Sequence, residues 1–365
     1  MDLKIGIIGL PNVGKSTLFN ALLKRQIADA SNYPFCTIEP NIGVVEVPDD
    51  RLPVLAKIVH TEKIVPAIVK FVDIAGIVKG ASEGQGLGNK FLSHIREVNV
   101  ICHVVRYFKD ENVVHVAGEI NPKSDQEVIN SELILADLET LTKNNEQRTN
   151  SIKPDDKTRN KISAINKLYE KLNQGVLAKD VELTDEEREA ILELQLLTMK
   201  PVIFVRNVDE NQIINKNVIL ESHASGTIGS HIDSIASPSQ DLASLQNDSV
   251  SICAKTESEL ADLAPDEQKE YLMQLGLEKS GLERLIQQAY KTLGLLSFLT
   301  AGEIEVRAWT IINGTKAPQA AGTIHTDFEK AFIKAETASF EDFVKYNGWH
   351  GCEKTAKSDL KGKNM

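Results

Sequence analysis

A phosphate-binding loop near the start of the chain constrains its fold more than any other feature. Residues 9–17, GLPNVGKST, match the pattern G-x-x-x-x-G-K-[ST] in full. The loop follows an apolar run at 3–8 and precedes a helical pattern of leucines that begins at Leu18. A strand, this loop and a helix in that order predict an α/β fold whose mainly parallel sheet binds a nucleoside triphosphate. The alternative is a glycine-rich turn that matches the pattern by accident.

The residue types in this loop suit phosphate chemistry. Its glycines let backbone N–H groups turn inward around the phosphates, and the helix N-terminus adds its positive end. Lys15 would reach the outer phosphates and serve catalysis, and Ser16 would offer a hydroxyl to Mg²⁺. The nucleotide-binding residues that we expect in the loop are Asn12, Val13, Gly14, Lys15, Ser16 and Thr17.

Composition and charge narrow the class of protein. With 365 residues, of which 42% are hydrophobic, the chain can form two or three domains with a sizeable core. Its formal charge of -11 argues against general polyanion binding, so a nucleic-acid contact would need a local basic patch. The four cysteines form no C-x-x-C pair, and no apolar run approaches the length of a membrane span. We therefore expect a cytoplasmic protein with reduced thiols and no membrane partner.

The order of apolar segments indicates the domain organisation. Short β-branched runs alternate with helical patterns, as in a parallel sheet covered by helices; they lie at 3–8, 68–72, 100–105, 201–205 and 250–254. Residues 125–200 show only helical stripes, including Ile134, Leu138 and Leu141. A second stripe comprises Ile162, Ile165, Tyr169 and Leu172. We predict an inserted antiparallel helical hairpin, with a further helix that begins at Thr184.

The predicted hairpin is locally basic. Residues 143–171 contain eight Lys or Arg and four Asp or Glu. A solvated helix face is the ordinary interpretation of such a run, and an RNA or ribosome contact is the other.

Further candidates for the nucleotide site follow the first helix and the second strand. Asp73 ends the apolar run at 68–72 and could hold the water shell of Mg²⁺, while Gly76 completes a D-x-x-G element whose amide can contact a γ-phosphate. Thr37 lies in the connection after the first helix, where it is either a second Mg²⁺ ligand or an ordinary loop hydroxyl.

Several motifs together resemble the YchF family, also called Obg-like ATPases. They are PNVGKST, NYPFCTIEPN, FVDIAGIVKGASEGQGLGN, EVRAWTI, APQAAG and IHTDFEK, and they cover nearly the whole chain. The resemblance implies an Obg-type G domain at 1–298, interrupted by the hairpin at 125–200, and a C-terminal TGS module with a β-grasp fold at 299–365. It also implies Mg²⁺, nucleotide hydrolysis and association with the ribosome, at the large subunit or the subunit interface. In the family the TGS module closes with a strand that carries a D-G-D turn, so we expect this module to lack its last strand.

The base-reading motif departs from that of ordinary GTPases. Guanine is usually read by N-K-x-D, whereas this chain has Asn207-Val208-Asp209-Glu210. Val208 replaces the lysine stem, and the carboxylate of Glu210 is one methylene longer than that of aspartate. Adenine lacks the 2-amino group, and an Asn can pair with its N6/N7 edge, so we expect the site to favour or at least tolerate ATP, with GTP less favoured. The next base-contact loop fits Cys253 and Ala254, and the alternative is an ordinary turn after a strand.

The source of water activation is a second departure. Ile77 stands where Ras-like GTPases place a glutamine, and an aliphatic side chain cannot orient water. His115, beyond the strand at 100–105, matches a family histidine with a suspected catalytic role; otherwise it is a loop histidine that packs locally or faces solvent. A potassium ion held by Asn12 is a further candidate. Three functions thus stay open: a slow ATPase that switches ribosome binding, a nucleotide-gated binding module with negligible turnover, and an ordinary GTPase.

Overall fold

The computed structural model describes residues 3–25, 41–74, 87–115, 118–146, 155–213, 249–355 and 359–362. Within them the chain divides into two compact units. The first contains residues 3–24, 41–43 and the described residues of 70–285, and the second contains residue 25, residues 44–69 and the described residues from 286 onward.

A six-stranded sheet forms the centre of the nucleotide domain. Its order is β2-β4-β1-β5-β6-β7, with bounds β1 Lys4–Ile8, β2 Ile42–Glu46, β4 Ile68–Asp73, β5 Val100–Arg106, β6 Val202–Asn207 and β7 Ser249–Ile252. The pairs of β1 with β4 and β5, of β5 with β6 and of β6 with β7 are all parallel. The five predicted strands are confirmed, and β2 is an additional strand that the sequence did not reveal.

Burial explains why these segments form strands. All seven residues of β5 are buried, and Ile5, Ile7 and Ile8 of β1 are fully buried. A strand covered on both faces needs apolar residues at successive positions, which is the pattern of a parallel sheet with helices on both sides. The helices of this unit that follow these strands are α1 Lys15–Lys24, α3 Leu87–Glu97, α7 Ala254–Leu260 and α8 Pro265–Gln274, with α9 Gly281–Thr292 beginning in it.

The insertion is helical, as expected, but it starts earlier. Its helices are α4 Pro122–Glu146, α5 Asp156–Asn173 and α6 Asp185–Ile191. Ile134 and Leu141 of α4 belong to its apolar core. On α5 Ile165 and Leu172 of the predicted stripe are buried in the same core, whereas Tyr169 is exposed and its neighbour Leu168 is buried instead. The described part of the insertion contains no strand.

The second unit combines an early segment with the C-terminal residues. It contains α2 Arg51–Val59, β3 Ile64–Val65, β8 Leu295–Ala301, β9 Val306–Ile312, α10 Ala317–Ile324, α11 Thr326–Lys330, β10 Lys334–Thr337, α12 Phe340–Lys345, α13 Trp349–Lys354 and β11 Asp359–Gly362. β8 and β9 are antiparallel, β3 joins β9 in parallel, and β10 pairs with β11 antiparallel.

These bounds correct the expected domain division. A boundary between residues 298 and 299 would lie inside β8, so the C-terminal module begins before 299. Residues 44–69 also belong to this unit. The overall fold class is nevertheless the expected one, with a mainly parallel sheet, inserted helices and a C-terminal α+β module. That the module lacks its last strand stays a prediction.

The carboxylate of Glu187 makes the stability of the insertion depend on pH. Its carboxylate accepts hydrogen bonds from the Ser163 hydroxyl at 2.7 Å, from Lys167 Nζ at 2.9 Å and from the Thr184 amide at 3.0 Å. The contacts with Lys167 and then Ser163 lower the pKa of Glu187 to about 2 from its usual 4.5. Because the folded-state pKa is depressed, the ionised carboxylate stabilises the fold above pH 4.5, and this contribution is lost as pH falls toward 2.

Glu187→Gln should therefore reduce stability at neutral pH and lose less than the wild type on acidification. Glutamine can keep the capping-box contact, so the substitution removes chiefly the charge. Urea unfolding at neutral pH and at pH values below 4.5 measures the difference. Glu189→Gln, at an exposed position of the same helix, is the matched control. An identical pH dependence for both variants would contradict the assignment.

Candidate nucleotide-binding site

The phosphate-binding loop connects β1 to α1 and has the conformation that its sequence predicts. Asn12 and Gly14 have φ angles of 62° and 94°, and the Leu18 amide donates to the Gly14 carbonyl at 3.0 Å as α1 begins. A Cβ on Gly14 would lie 2.2 Å from Nδ2 of Asn207. Gly14 is thus needed both for its positive φ and for the close approach of Asn207.

Lys15 is held against the loop that precedes it. Its side chain is buried, and Nζ donates to the carbonyl oxygens of Gly9 at 2.8 Å and Leu10 at 2.7 Å. Burial lowers the pKa of Lys15 to about 8, although the carboxylate of Asp73 acts in the opposite direction. An ammonium group in this position is partly desolvated, which strengthens its attraction for phosphate.

Asp73 and Ser16 are the described candidates for a Mg²⁺ site. Asp73 ends β4 and pairs in register with Ile7 of β1, and Ser16 is exposed in the first turn of α1. Burial raises the pKa of Asp73, and Lys15 opposes this shift. A hydroxyl and a carboxylate are hard oxygen donors, so this pair fits Mg²⁺. Thr37 and Gly76 lie outside the described residues.

Asn207 joins two loops at the edge of the sheet. Its Nδ2 donates to the Val13 carbonyl at 2.8 Å, and its Oδ1 accepts from the Ala254 amide at 3.0 Å. The side chain is buried, so both contacts fix the plane of the amide. Each of these two groups keeps one further hydrogen-bonding position, because a carboxamide has two N–H donors and two acceptor lone pairs. That Asn207 reads adenine stays a prediction, and in this structure its side chain joins the two loops.

A pocket of about 530 Å³ lies beside Asn207. The expected residues that line it are Gly14, Thr17, Asn207, Val208, Glu210, Cys253 and Ala254. The structure adds Phe108, Lys109, Asp110 and Val113, which sequence reasoning missed. Their position after β5 was the available signal, because the carboxyl ends of parallel strands share one edge of the sheet.

The carboxylates of the base-reading loop contact neighbouring segments. Glu210 Oε1 accepts from the Tyr271 hydroxyl of α8 at 3.3 Å. Burial and then Glu210 raise the pKa of Tyr271, which keeps this phenol a donor. Asp209 Oδ2 accepts from the Lys109 amide at 3.3 Å. Glu210, unlike Asp209, is thus held by a helix rather than by the loop after β5.

His115 is not a solvent-facing loop residue. Its Nε2 lies 3.0 Å from Oδ2 of Asp125 on α4, and both side chains are buried. The neighbouring Val114 carbonyl accepts from Nδ2 of Asn12 at 3.1 Å. The structure therefore connects His115 to the helical insertion, and the residue beside it to the phosphate-binding loop.

Ion pairs neutralise much of the basic run on the hairpin. Four of its cations have carboxylate partners: Lys143 with Glu139, Arg159 with Asp156, Lys161 with Glu193 and Lys167 with Glu187. These pairs favour the interpretation of a solvated helix face. Across the described ranges, no helix combines the length and apolarity that a bilayer crossing requires.

Comparisons with known proteins agree with this architecture. Residues 4–208 match a family described as 50S ribosome-binding GTPase, and residues 295–365 match the C-terminal family of YchF GTPases, described as a protein of unknown function. The chain is 47% identical over 364 residues to the ribosome-binding ATPase YchF of Bacillus subtilis, with coverage of 100% of this chain and 96% of the relative. For the protein of the same name in Escherichia coli the identity is 46% over 365 residues, with the same coverages.

A solved structure is also similar over the whole chain. It is the YchF GTPase of Schizosaccharomyces pombe, with a TM-score of 0.81 and 36% sequence identity. The match covers 100% of this chain and 95% of that one.

Asn207→Ala tests whether the Asn207 side chain stabilises the two loops that it joins. The substitution leaves the Val13 carbonyl and the Ala254 amide without their hydrogen-bond partner, so the free energy of unfolding should fall by about 2–4 kcal/mol, as measured by urea denaturation. Asn211→Ala, at an exposed position that lines the same pocket, should stay near the wild type. If Asn207→Ala instead kept wild-type stability and lost only nucleotide affinity, Asn207 would be a base-reading residue after all.

Proposed function

The chain belongs to the YchF family, and from this premise we propose that it is a Mg²⁺-dependent P-loop ATPase that associates with the ribosome and uses GTP less well. The observation that carries the proposal is the convergence of Lys15, Asp73 and the pocket beside Asn207 at one edge of the sheet. Because its proposed partner is the ribosome, we propose that the protein acts in the cytoplasm. The names of the relatives in Bacillus subtilis and Escherichia coli support both nucleotide hydrolysis and ribosome binding.

Phosphate and metal binding are proposed for the phosphate-binding loop, the end of β4 and the two loop residues Thr37 and Gly76. Lys15 would leave the Gly9 and Leu10 carbonyls, or share its three donors with them, to contact the outer phosphates. Ser16 and Asp73 would hold Mg²⁺, with Thr37 as a second ligand and the Gly76 amide at the γ-phosphate. The ion neutralises phosphate charge when it is bound.

Selectivity for adenine also depends on the residues that follow Asn207. Val208 supplies no cationic stem to cover guanine, and Glu210 is shared with Tyr271. Guanine offers two donors, N1–H and the 2-amino group, to a carboxylate in the fourth position of this motif. Because one oxygen of Glu210 already accepts from Tyr271, the two-donor contact is weakened, and this supports a preference for ATP.

Calorimetry with ATP and GTP tests the function. We expect ATP to bind more tightly, since a bidentate base contact is worth about 1–3 kcal/mol and the guanine-reading pair is absent. Val208→Lys combined with Glu210→Asp should shift the preference toward GTP, whereas Lys15→Ala should weaken both nucleotides. Tenfold tighter binding of GTP than of ATP by the wild type would overturn the base-selectivity argument.

Hydrolysis requires a group that orients water, because Ile77 cannot. We propose His115 for this role, with a potassium ion near Asn12 as the other candidate. The contact with Asp125 engages Nε2 of the imidazole at the junction with the insertion, so catalysis by His115 would use Nδ1 or require that this contact rearrange. A module with negligible turnover is the alternative function, and it is favoured if neither ring nitrogen reaches the γ-phosphate when ATP is bound.

His115→Ala should lower single-turnover hydrolysis by about 10²-fold with nearly unchanged ATP affinity if His115 positions water. Asp125→Asn distinguishes the positioning of water from a purely structural role of His115, because it weakens the contact between residues 115 and 125 and retains the imidazole. A positioning role predicts that Asp125→Asn keeps most of the turnover. Equal losses of stability and turnover in both variants would assign His115 to structure alone. Repeating the wild-type assay with sodium in place of potassium tests the cation.

We propose that the protein binds the ribosome at the large subunit or at the subunit interface. An RNA contact through the helical hairpin is the finer proposal, with the exposed Lys157 and Lys171 as its described cations. The ion pairs along the hairpin limit this surface to a small number of phosphate contacts.

A further inference from the structure

Arg106 is a fully buried cation at the end of β5, with 1% of its surface exposed. Its guanidinium donates to three backbone carbonyls of the following loop: Nε to Phe108 at 3.2 Å, Nη2 to Asp110 at 3.2 Å and Nη1 to Val113 at 2.8 Å. Its Cζ also lies 4.3 Å from the centroid of the Phe108 ring. Among the described residues, no carboxylate forms an ion pair with it.

A guanidinium buried in this way is costly for folding. Removing a cation from water without a countercharge is unfavourable, and carbonyl oxygens compensate only in part. An apolar side chain could fill the end of a buried strand without this cost. What the guanidinium adds is geometry, because its planar fork fixes three carbonyls of one loop at the same time. We call residues 107–113 the Arg106 loop.

The other side of the Arg106 loop faces the candidate base pocket. Phe108, Lys109, Asp110 and Val113 line this pocket together with the base-reading segment. The amides of Tyr107 and Phe108 donate to the Asn207 carbonyl at 2.8 and 3.2 Å. The loop is therefore fixed from inside by Arg106 and from the side by the strand end that carries the base-reading motif.

We propose that Arg106 is a positioning residue for the nucleotide base: through the Arg106 loop it sets the affinity for the purine and the choice between adenine and guanine. This inference rests on the proposed function, because it takes the pocket as the base pocket. Arg106 does not line the pocket itself and acts only through the loop.

The binding affinity for inorganic tripolyphosphate distinguishes an effect on the base pocket from a loss of the whole nucleotide site. Tripolyphosphate occupies the phosphate-binding loop but has no base, so its affinity should not depend on the Arg106 loop. Arg106→Lys keeps the charge, but a compact ammonium cannot reproduce the fork that reaches three carbonyls. Arg284→Lys is the matched control, because Arg284 is a partly buried arginine that donates to the Ser251 carbonyl outside the pocket lining.

Calorimetry with ATP, GTP and tripolyphosphate should then give a distinct pattern. For Arg106→Lys we expect ATP to bind about tenfold more weakly, corresponding to the loss of one or two hydrogen bonds. The ratio of ATP to GTP affinity should move toward one, and tripolyphosphate affinity should stay within about twofold of the wild type. Arg284→Lys should leave all three affinities near the wild type.

The opposing outcomes are equally specific. Equal weakening of ATP and tripolyphosphate, or unchanged ATP binding, would overturn the inference. If Arg106→Lys fails to fold, Arg106→Gln takes its place, because it retains a planar donor group at a position outside the pocket lining; it should show the same loss for ATP with tripolyphosphate retained, and equal losses would refute the proposal. A wild-type protein that binds neither ATP nor tripolyphosphate would instead refute the proposed function.

Discussion

The amide of Asn207 is the contact on which the arrangement of the site depends. It lies at the end of β6 and bonds to residues 194 positions before it and 47 positions after it in the chain. Because Gly14 has no Cβ, the amide can approach the phosphate-binding loop closely enough to reach the Val13 carbonyl. The conformation of that loop is thus a property of the assembled sheet as much as of its glycines.

The register between β5 and β6 positions two polar side chains next to the pocket. Arg106 and Asn207 are partners across β5 and β6, so the pairing that positions one also positions the other. A slip of either strand by a single residue would turn its own side chain to the opposite face, away from the other. The apolar residues of β5 and β6 therefore specify the site indirectly, since their burial fixes the register.

Local features were predictable from sequence, whereas long-range partners were not. The phosphate-binding loop, the position of Asp73 after its strand and the capping box at Thr184 depend on neighbouring residues and are present as expected. The role of Asn207 could not be inferred, because an amide reads a base or bridges two loops according to what the fold brings near it. The contact between His115 and Asp125 could not be inferred for the same reason, since burial against the insertion decides the environment of His115.

Helical periodicity predicted the insertion and, through Ile165 and Leu172, most of the buried face of α5, but it misplaced one position. Tyr169 and Leu168 are adjacent, and only packing against α4 and α6 decides that Leu168 turns inward. Strand β2 and the assignment of residues 44–69 to the second unit also depend on distant pairing. Apolar alternation alone does not say which sheet a short strand joins.

The pairing of β3 with β9 has a consequence for synthesis on the ribosome. Val65 is buried in the finished protein, yet its partner Arg307 follows about 240 residues later in the chain. At a translation rate of about 5–20 residues per second, this early segment waits roughly 12–50 seconds for its partner strand. Throughout that interval the backbone donors and acceptors of β3 that face β9 are left to water or to a chaperone, so the second unit can complete this sheet only after β9 has been synthesised.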